Sequence, residues 1–204
     1  MMEIEPIVHV VDDDEAVRKT VRLLLQSVNI PVETYGNARE FMEAFDPARS
    51  GCIVLDVRMP GMSGMELHEK LVMDGVKTPV IVVTGHGDVP MAVKAVQRGA
   101  LDFIEKPFRE QILLDRIKQA IQKDLETRRG EARVAEIQQR LDTLTPRERE
   151  VLELVVSGKN TKQIAAQFGV SVQAVAAHRE RLMRKMGVES VAELVARILK
   201  SREG

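Results

Sequence analysis

Apolar and polar positions alternate in two different rhythms along the first part of the chain. Ile7–Val11, Val32–Tyr35, residues 53–55, residues 79–83 and Asp102–Glu105 are brief apolar or β-branched runs. They are too short for buried helices and suit strands. Between them lie stretches with helical spacing. In 15–28 the repeating positions are Val17, Val21, Leu24, Leu25 and Val28. The others are 37–45, 63–74, 90–98 and 109–123; Ser63 and Glu66 form a capping box and Gly99 is a stop signal. Five strands alternating with five helices predict an α/β unit, a five-stranded parallel sheet covered on both faces. In such sheets, chemistry gathers outside the carboxyl ends of the strands.

The rhythm changes after residue 121. Residues 122–143 are charged and helix-favouring, with Gly130 as a weak point and an irregular apolar stripe whose heptads are poor. They are expected to form a helical linker, interrupted near Gly130. From 144 to 204 only helix signals remain. Thr145 and Glu148 form a capping box with Pro146 at the first helical position. Asn160 and Ser171 can cap two further helices ended by Gly169 and Gly187, and Ser190 with Glu193 opens a last one over 191–201. Four short helices with tight turns fit an all-α helix-turn-helix unit, with the motif over about 161–180. The expected domains are therefore 1–121, a linker over 122–143, and 144–204.

Charge sharpens this division. The whole chain has a net charge of −1, but residues 1–121 carry −5 and residues 122–204 carry +4. Between 159 and 185, Lys159, Lys162, Arg179, Arg181, Arg184 and Lys185 face Glu180 alone. Only the second half has the balance expected of a nucleic-acid partner. The single cysteine, Cys52, lies in an apolar run and is expected to be a buried, inert thiol in a reducing, cytoplasmic setting. Residues 1–5 are acidic and the apolar run that follows is short, so neither a signal segment nor a membrane span is expected.

The candidate chemistry sits at strand ends. Asp12, Asp13 and Asp14 follow the first strand, Asp56 ends the third, Thr84 the fourth, and Lys106 follows the fifth. A parallel sheet brings these to one edge. Two carboxylates about 4 Å apart repel by roughly 4 kcal/mol at an effective dielectric of about 20. A divalent cation, Lys106, or both must offset that, and an all-oxygen ligand set points to Mg²⁺. An aspartate can also act as a nucleophile toward phosphorus. Asp14 reads as a helix-start residue, His9 as a packed strand residue and His86 as a loop residue. Met59, Met62 and Met65 read as loop packing.

These strings carry a resemblance. Val-Val-Asp-Asp-Asp at 10–14, Val-Leu-Asp-Val-Arg-Met-Pro-Gly at 54–61, Val83-Thr84 and Phe-Ile-Glu-Lys-Pro at 103–107 resemble the receiver domains of two-component response regulators. The resemblance covers roughly residues 5–121 and implies a flavodoxin-like (βα)5 fold. It implies Asp56 as phosphoacceptor, and a Mg²⁺ site of Asp12, Asp13, Asp56 and the backbone carbonyl of Arg58. It also implies Thr84 and Phe103 as switch residues, Lys106 as phosphoryl-binding lysine, and a cis Lys106–Pro107 bond. The Thr-Gly-His-Gly-Asp-Val-Pro string at 84–90 resembles the FixJ-type subgroup.

Residues 144–200 resemble the LuxR/FixJ-type helix-turn-helix through Leu-Thr-Pro-Arg-Glu-Arg-Glu-Val-Leu at 144–152, 158–165, 175–179 and 182–186. The second helix of such a motif enters the major groove. Val175, Leu182 and Met186 are expected on its buried stripe. Gln173, Ala176, Ala177, Arg179 and Glu180 lie on faces that can meet DNA, together with Thr161. Lys162, Arg184 and Lys185 suit phosphates. For His178, packing and DNA contact compete. Related sequences often carry threonine at 174 and a polar residue at 176, so this helix is poor in donors. Alanine methyls on thymine methyls, Glu180 on cytosine N4, and DNA shape are expected to carry more of the specificity.

The resemblances imply a phosphorylation-dependent transcription regulator, an activator by analogy, with a histidine kinase and promoter DNA as partners. Homodimerisation on phosphorylation and contact with RNA polymerase would follow, with no membrane partner. A turnover enzyme is not expected: aspartyl phosphatases often place a second carboxylate two residues after the nucleophile, where Arg58 stands. A phosphorylation-independent adaptor is the remaining alternative, disfavoured by the full acidic and lysine set.

Overall fold

The computed structural model describes residues 5–85 and 89–202, in two compact units, Met1–Arg128 and Arg129–Gly204. The reading of His86 lies outside the described residues.

The first unit runs β1 (Ile7–Val11), α1 (Glu15–Ser27), β2 (Val32–Tyr35), α2 (Ala38–Ala44), β3 (Gly51–Asp56), α3 (Gly64–Met73), β4 (Val80–Thr84), α4 (Val89–Gln97) and β5 (Asp102–Glu105), followed by α5 (Glu110–Asp142). All strand pairs are parallel, in the order β2-β1-β3-β4-β5. The inner strands β1, β3 and β4 are buried on both faces, which is why they read as continuous apolar runs, while the edge strands β2 and β5 keep half-buried positions. Val8, Val10, Cys52, Val54, Ile81, Val83 and Ile104 pack with Val21 and Leu25 of α1 and Leu113 and Ile117 of α5. Val11, Ile53, Leu55, Val80 and Val82 pack with Phe41, Leu67, Leu71 and Ala95 of α2, α3 and α4. Cys52 is fully buried, and burial pushes its thiol well above the ordinary range, as expected of an inert cysteine. His9 is buried too, 3.2 Å from the Tyr35 hydroxyl and edge-on to Phe41 and Phe45.

Chain direction across the sheet reverses between β1 and β3, so a crevice opens there at the carboxyl ends. Local signals shape its rim. The Asp14 carboxylate caps α1, accepting from Ala16 N at 2.8 Å. Ser63 and Glu66 cap α3 reciprocally.

The expected end of the fifth helix at 123 and the interruption near Gly130 are not found: α5 runs unbroken from Glu110 to Asp142. A mid-helix glycine costs about 1 kcal/mol, and the Ala, Arg, Glu and Gln residues around it favour the helix. The boundary between the units falls inside this helix, after Arg128.

In the second unit, α6 (Pro146–Val156), α7 (Thr161–Phe168), α8 (Val172–Met186) and α9 (Val191–Arg202) surround a core of Val151, Leu152, Ile164, Val175, Leu182, Met186 and Leu194. Thr145, Asn160 and Ser171 cap α6, α7 and α8, each accepting from a backbone N–H three residues on. Gly169 and Gly187 end α7 and α8 in the left-handed conformation, φ +63° and +62°, where a Cβ is unfavourable. No helix among the described residues is long and apolar enough to cross a membrane.

Candidate functional site

Asp12, Asp13 and Asp56 meet at the β1/β3 crevice, each offering an oxygen within 4.8 Å of the others. Asp12 and Asp56 are buried while Asp13 is exposed. Asp12 is tied down by the backbone N–H of Asp14, which donates to Oδ1 at 2.9 Å. The Lys106 ammonium reaches both buried carboxylates, donating to Asp12 Oδ2 at 2.7 Å and Asp56 Oδ1 at 2.8 Å. The other oxygen of Asp56 accepts from the Arg58 N–H at 3.0 Å.

One lysine shared by two buried acids leaves the crevice short of positive charge. Burial pushes the Asp56 carboxyl above its ordinary value, against the Lys106 and Arg58 bonds, and the Asp12 charge adds to the rise. Burial also opposes the Lys106 charge, but its bonds to Asp12 and Asp56 outweigh that and hold the ammonium above its usual value. Three hard oxygen donors around unbalanced negative charge fit a small divalent cation such as Mg²⁺.

Thr84 is fully buried at the end of β4, its hydroxyl donating to the Gly85 carbonyl at 3.3 Å. Phe103 pairs in register with Val82, which places it on the same sheet face as Thr84, half-buried against the α2–α4 core. The Lys106–Pro107 peptide is cis, as the resemblance implied.

Gly64 was missed in the sequence. A Cβ there would lie 1.9 Å from the Asp56 carbonyl oxygen, and the Gly64 N–H donates to the Val57 carbonyl at 3.0 Å. The first turn of α3 thus presses on the backbone of the Asp56 loop, and only glycine fits. A glycine just inside a capping box, with no turn to make, was the available signal.

In the second unit, Val175, Leu182 and Met186 are fully buried, as expected. Gln173, Ala176, Glu180 and Arg184 are exposed on α8, and Lys162 on α7; Ala177 is half-buried. Arg179 donates to the Thr161 hydroxyl at 2.9 Å and so bridges the two helices of the motif. His178 is half-buried, 2.9 Å from the Arg181 guanidinium. Lys185 is engaged within the unit. Its ammonium donates to the buried Glu148 at 2.7 Å and to the Thr143 carbonyl at 2.8 Å. Glu148 was read only as half of a capping box. It also faces Arg181 at 3.7 Å, and Lys185 with the Thr145 N–H holds its carboxyl down at about 2.

An acidic, lysine-bridged crevice on a doubly wound sheet, followed by a helix-turn-helix, defines a signal-receiving protein with a DNA-binding output. Residues 8–118 match the family described as response regulator receiver domain, and residues 142–198 match bacterial regulatory proteins of the luxR family. The chain belongs to the response regulators that join a receiver to a LuxR-type DNA-binding domain. It is 41% identical over 189 residues to nodulation protein W of Bradyrhizobium diazoefficiens, covering 93% of this chain and 83% of that one. To the transcriptional regulatory protein FixJ of Azorhizobium caulinodans it is 44% identical over 188 residues, 92% of this chain and 89% of that one. The solved structure of the response regulator StyR aligns with TM-score 0.89 at 44% identity, covering 96% of this chain and 99% of that one. A receiver domain implies a histidine kinase partner, and the second domain implies DNA binding.

Proposed function

We propose that Asp56 accepts a phosphoryl group from a phosphorylated histidine of a histidine kinase. An Asp56 carboxylate oxygen bonds to phosphorus while the P–N bond breaks, and the imidazole leaves and takes up a proton. The product is an acyl phosphate. Asp12, Asp13, Asp56 and the Arg58 carbonyl would hold Mg²⁺, which supplies positive charge to the transferring phosphoryl oxygens. Lys106 moves from its shared position between Asp12 and Asp56 to the phosphoryl oxygens. Thr84 turns its hydroxyl to them, and Phe103 follows into the space vacated on the same sheet face. This biases the receiver toward a second state, in which two copies pair and their helix-turn-helix units occupy paired half-sites.

In that complex Gln173, Ala176, Ala177, Arg179 and Glu180 face the groove, and Thr161, Lys162 and Arg184 approach phosphates. Lys185, spent on Glu148, holds α8 in place instead. We infer activation of transcription through RNA polymerase, in the cytoplasm, from the likeness to FixJ and nodulation protein W. The observation that carries the reading is the Lys106 ammonium within 2.8 Å of both Asp12 and Asp56, directly beside the nucleophile.

Acetyl phosphate with Mg²⁺ is expected to label the wild-type chain and not Asp56→Asn; labelling of that variant at another residue would defeat the assignment. For the DNA surface, Ala176→Ser with Ala177→Ser is expected to change the sequences recovered from a random duplex library. An unchanged preference would remove direct apolar readout.

A further inference from the structure

The opposite end of the same sheet holds a second buried carboxylate with a cation, and it lies where α5 passes out of the first unit. Asp124 is buried on α5 and accepts three hydrogen bonds: from the Ser50 hydroxyl at 2.8 Å, the Gly51 N–H at 2.9 Å and Arg128 Nε at 2.8 Å. The rest of the Arg128 guanidinium grips the chain before β3. It donates to the carbonyls of Ala48 at 3.0 Å, Pro47 at 2.9 Å and Arg49 at 2.8 Å, and lies 3.4 Å from the Thr78 hydroxyl. A planar fork satisfying this many fixed acceptors is a geometric lock that lysine could not replace.

Two features set this cluster apart from ordinary structural polar contacts. The segments it holds lead into β3 and β4, whose far ends carry Asp56 and Thr84. Gly51 leaves no slack there, since a Cβ would lie 1.8 Å from the Ile7 carbonyl oxygen. Second, the lock sits at the last residue of the first unit. From Arg129 through Glu136 every residue of α5 is exposed, so tertiary packing ends where Arg128 ends.

We propose that Asp124 and Arg128 are a positioning pair that couples the receiver to the DNA-binding unit. They bind α5 to the two strands that carry the phosphoacceptor and the switch hydroxyl. A shift of β3 or β4 on phosphorylation is passed to the helix that continues into the second unit. With the lock open, the end of α5 unwinds locally and the shift is not passed on. This inference rests on phosphorylation at Asp56.

The test uses the full chain and a duplex selected from a random library with the phosphorylated wild-type protein. Arg128→Gln is the main variant, because Arg128 is partly exposed and its loss leaves the apolar core intact. Labelling of Asp56 by acetyl phosphate should proceed at the wild-type rate, since the lock is at the far end of the strands. Amide exchange should quicken over 124–136. At equal phosphorylation, the gain in DNA affinity on phosphorylation should fall by about tenfold or vanish. Quickened exchange with an undiminished gain would overturn the proposal, because a merely structural contact behaves that way. A slowed labelling rate that explains the whole loss would also overturn it. Arg128→Lys keeps the charge beside Asp124 but not the fork; full recovery of the gain in that variant would overturn the role given to the carbonyl contacts. If the wild-type protein is labelled on Asp56 but gains no affinity, the coupling proposal falls alone. If it is not labelled there, the phosphoacceptor reading falls and takes this one with it.

Discussion

Asp56 and Glu148 are both carboxylates buried in the heart of a unit, and the two are held in opposite ways. Burial raises the proton affinity of Asp56, and the one ammonium it shares with Asp12 does not offset that. Glu148 receives Lys185, faces Arg181 and accepts from the Thr145 backbone, and its proton affinity falls. A buried acid with too little positive charge around it attracts a cation or an electrophile. One with more than enough is inert and ties elements together. The same side-chain chemistry therefore gives a reactive crevice in one unit and a joint between α6 and α8 in the other.

Removing Lys106 gives the largest expected effect. Lys106→Met should slow Asp56 labelling by about a hundredfold, the loss typical of one electrostatic group aimed at a reacting centre. The folded state should persist, because Mg²⁺ would offset part of the repulsion. Labelling at the wild-type rate would show that the crevice is not short of charge after all.

Glu148→Gln should destabilise the second unit by about 1–2 kcal/mol, with the ion pairs discounted for the solvent that reaches Lys185 and Arg181. Chemical unfolding of the full chain would measure it. The pH dependence carries a definite sign. The folded carboxyl titrates at about 2, against an ordinary value of 4.5. Its stabilisation is therefore complete above about 4.5 and disappears as pH falls toward about 2. The advantage of wild type over the variant should shrink across that window. An advantage that held constant would mean that the joint is not ionic.

His9 supplies the smallest effect and a third case, a buried group kept neutral. Burial holds its pKa below the ordinary 6.5, with Glu33 working the other way and Arg49 adding to the decrease. Below 6.5 the unfolded chain takes up a proton that the folded chain resists. His9 should therefore lower stability with decreasing pH, contributing at most about 1.4 kcal/mol per pH unit, until its folded pKa is reached. His9→Gln should flatten that slope. His68, also held low by burial, should keep part of it. An equal slope in the variant would assign the whole effect elsewhere.

Much of this was legible in the chain. The strand ends that carry Asp12, Asp56, Thr84 and Lys106 could be placed because short apolar or β-branched runs mark the strands of a covered sheet, and a parallel sheet aligns their carboxyl ends. The helix caps at Asp14, Ser63, Thr145, Asn160 and Ser171 could be read because capping acts over three residues or fewer. Gly130 misled because propensity is a weak local preference, and good helix formers on both sides outweighed it. Lys185 was expected at phosphates, and its bond to Glu148 was not legible because charge counts contain no partners. Arg128 looked like one more linker charge, since the carbonyls it holds are some eighty residues away.

By itself, then, the sequence determined the alternation of strands and helices, their caps, the acidic cluster at the strand ends and the basic helical segment. These depend on periodicity, on contacts a few residues apart, and on the fixed direction of a parallel sheet. Only the tertiary structure decided how each buried charge is compensated. That balance is made by groups far apart in the chain, and whether it falls short at Asp56 or is exceeded at Glu148 depends on distances no local pattern encodes.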